Sequence, residues 1–314
     1  MNPIAQWKER RASFSRTVAV MRVLASLFTL ALACITPLTP SFAADDAAAA
    51  LRARYQSLAP QLANNPFHRP LYLDSTEAPD SLKGSIYAVI DYPFATVNSA
   101  LNDPTKGPAN WCDVLILHLN TKYCHVSTGS DGGSTLNVNL GKKTEENLSS
   151  TFRVAFNYRP DVTRPDYFRV DLSADKGPMS TRDYHIMLEA VAIDSARTFI
   201  HLTYSYGYGT AGRLAMKTYL ATIGSDKVGF SRSAGNGDYV GGVRGLVERN
   251  TMRYYLAIDA YLASLSAPAG QQLDARLNHW FDATEQYPRQ LHEVEKDDYI
   301  QMKHHEYERQ QTAQ

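Results

Sequence analysis

Three stretches hold the residues whose types and spacing suit chemistry. "TRDYHIMLEA" (181–190) carries Arg182, Tyr184 and Glu189, and "TFIHLTYSY" (198–206) carries His201, Tyr204 and Tyr206. "GLVERNTMRYYLAIDAYLASL" (245–265) adds Glu248, Arg249, Arg253, Tyr254 and Asp259. Glu248, Met252, Tyr255 and Asp259 recur at helical spacing, with Arg249 and Arg253 on the adjoining face. Leu246, Leu256, Ile258 and Leu262 spread round the rest, so this helix is buried on most sides. Charges on it must be paired or face a wet cavity. One reading is an ion-pair network fixing helix to sheet. The other is a few polar anchors in an otherwise apolar pocket, the usual make-up of a ligand site. The pocket candidates are Tyr184, Glu189, Tyr204, Tyr206, Arg249, Arg253 and Tyr254. His201 titrates in the range of a general base. Alternation, however, groups it with Phe199, Thr203 and Ser205, opposite the Ile200–Leu202–Tyr204–Tyr206 row.

Other motifs point away from known chemistries. Gly207, Gly209 and Gly212 spell G-x-G-x-x-G, with Asp226 about 20 residues on. That fingerprint works inside a parallel β-α-β unit, and here it ends a run of antiparallel strands. H-E-x-x-H, G-x-S-x-G and a P-loop are absent from the sequence, and no cofactor or metal site is implied. His304 and His305 are adjacent on a helix and point to different faces. His118 and Asn120, in "LHLN", read as a local hydrogen-bonded pair.

Cys112 and Cys124 stand 12 positions apart and read as a disulfide in an exported chain. The leader agrees. "MRVLASLFTLALACITPLTPSFA" has Arg22 at its head, an apolar run, two prolines, and small residues at Ser41 and Ala43. It reads as a signal peptide within 1–43, starting at Met1 or Met21, with a mature chain from Ala44 in the periplasm. Cys34 offers a lipoprotein anchor as the alternative. The mature part holds 27 basic and 31 acidic residues, a net charge of about −4. Such a balance does not draw the chain to nucleic acid.

Stepwise alternation then builds the frame. Residues 44–83 read as an alanine-rich helix and an irregular, proline-bearing run. "SIYAVID" is a strand, "YPFATVNSALND" a helix with Phe94, Val97 and Leu101 on one face, and "NWCDVLILH" a second short helix. Six strands follow, "KYCHVS", "STLNVNL", "FRVAFNY", "YFRVDLSAD", "DYHIMLEAVAI" and "TFIHLTYSY". Their short connections require antiparallel pairing. "GTAGRLAMKTYLATIG" is an inserted helix stopped by Gly224, and "KVGFSRS" a further strand candidate. The long helix runs from about 244 to 265. Residues 266–314 form a helical extension in which Leu273, Leu277, Trp280 and Phe281 share a docking face. Residues 289–314 are polar almost all round, which reads as a solvated helix or a surface for an envelope protein.

A strand, two helices, six antiparallel strands and a long buried helix resemble the START-like, or SRPBCC, superfamily of lipid-transfer domains, polyketide cyclases and Bet v 1-type proteins. The resemblance covers 84–265 and is topological. It departs from that pattern in the insertion at 210–240. "WCDVLILHLN" and "ERNTMRYYLAIDAYL" also resemble uncharacterised exported bacterial proteins. The family implies an α+β helix-grip fold, a curved sheet of about seven strands wrapped on the long helix, and an apolar cavity between them. The function it implies is binding of an apolar or amphipathic small molecule or lipid. The alternatives are a cyclase or hydrolase in the same cavity, using Tyr184, Glu189, His201 or Arg253, and an envelope scaffold acting through the tail.

Overall fold

The computed structural model describes residues 41–221, 227–233 and 237–312. The leader up to Pro40, with Cys34, lies outside them, as do Gly224 and Asp226. The fold lies in Ala48–Gln314, a unit separate from Met1–Ala47.

Eight strands form one antiparallel sheet. They are β1 (Leu71–Glu77), β2 (Ser81–Ile90), β3 (Thr121–Thr128), β4 (Ser134–Leu140), β5 (Phe152–Thr163), β6 (Tyr167–Lys176), β7 (Thr181–Ala192) and β8 (Thr198–Tyr208). Their order across the sheet is β1-β2-β8-β7-β6-β5-β4-β3. Helices α2 (Phe94–Leu101) and α3 (Gly107–Leu115) connect β2 to β3. Because β8 pairs antiparallel with both β2 and β7, the glycine fingerprint at its end lies in no parallel crossover.

Two readings need correction. The sheet has eight strands, because "LYLDSTE", inside the stretch expected to be irregular, pairs along β2 from Leu71↔Ala88 to Glu77↔Leu82. Only Leu71 and Leu73 mark its buried face, and Ser75 completes it, so the apolar signal is too short to stand out. "KVGFSRS" is not a ladder strand. It makes one isolated bridge, Arg232↔Tyr239, beyond an inserted helix α4 (Thr210–Ala221).

The long helix is α5 (Gly242–Ser264), and it lies against the inner face of β1, β2 and β8. Gly84 makes that approach close: a Cβ there would stand 2.2 Å from Thr251 Oγ1 of α5. The opposite face of the sheet is met by α1 (Ser41–Ala63), whose Tyr55 ring sits 5.0 Å from Phe199 and whose Arg54 guanidinium lies 4.9 Å over Tyr87. Among the described residues no helix is long and apolar enough to cross a membrane.

After α5 the chain makes α6 (Gln272–Thr284), α7 (Pro288–Leu291) and α8 (Lys296–Thr312). Helix α6 buries Leu277, Trp280 and Phe281, with Leu273 half-buried at the rim. The polar tail is not a solvated extension. Tyr299, Met302, Lys303, Glu306 and Gln310 of α8 are buried. Glu306 accepts from the ammonium groups of Lys122 (2.9 Å) and Lys303 (2.7 Å), while Lys303 also donates to the His118 and Thr121 carbonyls. The buried side of this helix is polar because its partners are. Cys112 of α3 and Cys124 of β3 form a disulfide, with Cα atoms 5.3 Å apart.

Candidate functional site

Alternation decides which side chains meet. On β8, Ile200, Leu202, Tyr204 and Tyr206 turn toward α5, and on β7 so do Tyr184, Ile186 and Leu188. Four tyrosines thereby gather between sheet and helix. Tyr184 stacks on Tyr206 at 5.1 Å, Tyr204 lies 5.6 Å from Tyr206, and Tyr254 of α5 lies 5.1 Å from Tyr204. Phe156 meets Tyr184 edge-on at 6.4 Å.

The group of rings between β7, β8 and α5 is the candidate chamber. Leu188, Leu202 and Leu256 retain no accessible surface, and Tyr204 and Tyr254 keep 6 % and 8 % of theirs. Burial pushes the hydroxyl of Tyr184 up to about 12 and those of Tyr204, Tyr206 and Tyr254 further still. All four stay neutral donors and acceptors at any ordinary pH. Tyr184 bonds Thr181 Oγ1 at 2.8 Å, Tyr206 reaches the Met216 sulfur at 3.8 Å, and Tyr204 meets the Asn250 side chain.

His118 joins this group, with its ring 5.1 Å from Tyr254. Its Nδ1 accepts the Asn120 amide at 3.2 Å, the local pair the sequence suggested. That leaves the proton on Nε2, which has no hydrogen-bond partner of proper geometry, with the Asn250 amide alongside. Burial first, then the charges of Arg253, Lys303 and Lys143, hold this imidazole well below its ordinary pKa and keep it neutral.

The charged residues of α5 divide. Glu248 accepts from the Ser75 hydroxyl and from the Phe230 and Ser231 amides. Asp259 is held by Arg69 (2.8 Å) and His279 (3.3 Å). Both fix the helix in place. Arg249 donates to the Val228 carbonyl at 3.2 Å and lies within charge reach of Tyr206. Arg253 donates to Glu293 at 2.8 Å, where Lys143 (2.6 Å) and Lys227 (3.4 Å) also converge.

Of the sequence candidates, Tyr184, Tyr204, Tyr206 and Tyr254 share the chamber, with Arg249 and Arg253 beside it. Glu189 does not join them. It lies on the outer face, where Oε1 meets His201 Nδ1 at 2.8 Å and Oε2 accepts the Tyr167 hydroxyl at 3.0 Å. His201 Nε2 meets Thr203 Oγ1 at 3.1 Å, and the His201 ring stacks on Tyr87 at 4.0 Å. An odd spacing of five residues along a strand separates Glu189 from Tyr184. The convergence of Tyr184, Glu189, His201 and Arg253 that a hydrolase or cyclase reading needs is therefore not present. His118 and Asn250 are the chamber residues that sequence reasoning missed. "LHLN" held the signal, but only the fold shows that one imidazole nitrogen is left over.

Among the described residues no group of three or more His, Cys, Asp or Glu is placed to hold a metal ion. His304 instead pairs with Asp274 at 2.8 Å and His305 with Glu145 at 3.3 Å. A hollow of about 590 Å³ lies against the disulfide, between α3, β3 and α8. Its one acidic group, Asp113, is taken by Arg276 at 2.7 Å.

No family model and no curated protein matches the sequence. Solved structures with a similar course include norcoclaurine synthase from Thalictrum flavum, at 10% identity and a TM-score of 0.33, over 48% of this chain and 91% of that one. A START superfamily protein from Mycobacterium smegmatis overlaps at 12% identity and a TM-score of 0.29, over 46% and 92%. Human StAR-related lipid transfer protein 5 does so at 7% and 0.30, over 58% and 91%. The fold assignment stands on connectivity and not on these overlaps. With β2 followed by two helices, then β3 to β8 returning to pair beside β2, and α5 gripped by the inner face, the chain has a START-like helix-grip fold.

Proposed function

We propose that the protein is an exported binding protein for an apolar or amphipathic small molecule or lipid, held between β7, β8 and α5. One observation carries the reading. Four buried tyrosines and His118 gather between the sheet and α5, and the buried His118 Nε2 has no hydrogen-bond partner of proper geometry. A buried polar group without a partner costs stability. Such a group beside neutral hydroxyls and apolar walls has the make-up of a ligand site, where few polar anchors orient a mostly apolar guest. Neutral hydroxyls and a neutral imidazole suit a guest with carbonyl, hydroxyl or similar groups along its length.

Export is supported by the leader at 1–43 and by the Cys112–Cys124 disulfide, which suits an oxidising compartment. Native mass spectrometry of protein purified from the periplasm tests both halves. The expected result is a chain beginning at Ala44 with a bound mass released by organic extraction. A chain that binds neither endogenous lipid nor added long-chain amphiphiles contradicts the binding function, and an unprocessed chain in the cytoplasm contradicts export.

A further inference from the structure

The chamber has a charged end. Lys143, in the β4–β5 connection, Lys227, after α4, and Arg253 of α5 come from distant parts of the chain and converge on the two oxygens of Glu293, between α7 and α8. The site is graded. Arg253 and Glu293 are almost wholly buried, whereas the Lys143 and Lys227 side chains keep 24% and 27% of their surface. It neighbours the tyrosines, because Arg253 of α5 directly precedes Tyr254, whose ring stacks against His118 and lies 5.1 Å from Tyr204.

Three cations gathered on one carboxylate make a strongly positive spot in a low-dielectric setting. Burial, and after it the Arg253 charge, hold Lys143 down to about 8 in spite of Glu293. Such a spot favours a second anion. A lysine ammonium has three donors, so Lys143, and Lys227, which also donates to the His292 carbonyl at 2.8 Å, can each offer one to an incoming group while Arg253 keeps Glu293.

We infer that Lys143, Lys227 and Arg253 hold the anionic end, a carboxylate or phosphate, of the amphipathic guest, and that Glu293 keeps the place of that anion when the chamber is empty. This deepens the binding function proposed above and rests on it. The guest lies with its charged end at the lysines and its apolar part among the tyrosines. Glu293 is then both a counter-charge that holds the empty site together and a competitor for the ligand.

Isothermal titration of the mature protein with dodecanoate, dodecyl phosphate, dodecanol and inorganic phosphate tests the inference. The two charged amphiphiles are expected to bind about tenfold or more tighter than dodecanol, the scale of one charge-assisted hydrogen bond. Lys143→Gln with Lys227→Gln should erase that preference and leave dodecanol binding unchanged. Lys227→Gln alone, at a solvent-edge position, should reduce it and serves if the double variant does not fold. Glu293→Gln should tighten dodecanoate, an effect that a purely structural ion pair does not give. Equal binding of acid and alcohol overturns the anion site and leaves the chamber standing. Inorganic phosphate binding as tightly as dodecyl phosphate overturns the link to an amphiphile. Binding of none of the four overturns the chamber itself, and the anion site with it.

Discussion

On the outer face of β7 and β8, Glu189, His201, Tyr167 and Thr203 satisfy one another in a closed chain of short hydrogen bonds under α1. On the inner face of the same two strands, Tyr184, Tyr204 and Tyr206 meet mainly each other's rings, and beside them His118 Nε2 has no partner of proper geometry. The same β-pleat presents both sets, and residue type alone favours the outer one as chemistry, since it holds a carboxylate, an imidazole and a hydroxyl in series. What separates them is what is left unsatisfied. A closed network has no capacity to spare and contributes rigidity, whereas an enclosed space with open polar ends has capacity for a guest.

Variants that strip a closed network should cost the most stability. Glu306→Ala leaves Lys122 and Lys303 buried without their shared carboxylate and is expected to lose about 3–5 kcal/mol in urea unfolding. A loss below about 1 kcal/mol would show that α8 docks through Tyr299 and Met302 alone. Next comes the disulfide: Cys112→Ser should cost roughly 3 kcal/mol, and reductant should lower the melting temperature of the native protein in the same way.

Glu189→Gln sharpens the contrast on the sheet itself. It weakens the His201 bond and is expected to cost about 1–3 kcal/mol without changing ligand affinity. Burial alone would raise the Glu189 pKa, but the His201 and Tyr167 hydrogen bonds and the His201 charge outweigh it and set it below 4.5. Its contribution to stability is therefore complete above 4.5 and is lost as the pH falls through the lower folded value. Wild type should lose stability more steeply than Glu189→Gln in that acid window, and parallel curves would contradict the closed network. The smallest stability effect belongs to the inner face. Tyr204→Phe removes a hydroxyl that meets the Asn250 side chain, so stability should fall by about 1 kcal/mol or less while ligand affinity falls.

Much of this frame was legible in the sequence because alternation and short turns force antiparallel pairing, and because Ile200, Leu202, Tyr204 and Tyr206 make one unbroken row. The edge strand β1 was not, since two leucines bear its apolar signal. The docking of α8 was hidden for a different reason. Tyr299, Met302, Lys303, Glu306 and Gln310 recur at helical spacing, but three of the five are polar, and their burial depends on Lys122 and the Cys124 amide far away in the chain. Glu189 was grouped with Tyr184 by residue type, although strand parity already set them apart. His118 shows the converse, because a local partner for one ring nitrogen says nothing about the other.

The most direct test of the account is fluorine NMR of protein labelled with fluorotyrosine, titrated with dodecanoate and assigned through single Tyr→Phe variants. The signals of Tyr184, Tyr204, Tyr206 and Tyr254 should shift together and saturably, while those of Tyr87 and Tyr167 on the outer face stay in place. Shifts confined to the outer tyrosines, or none among the inner four with ligand bound, would contradict a binding chamber between sheet and helix.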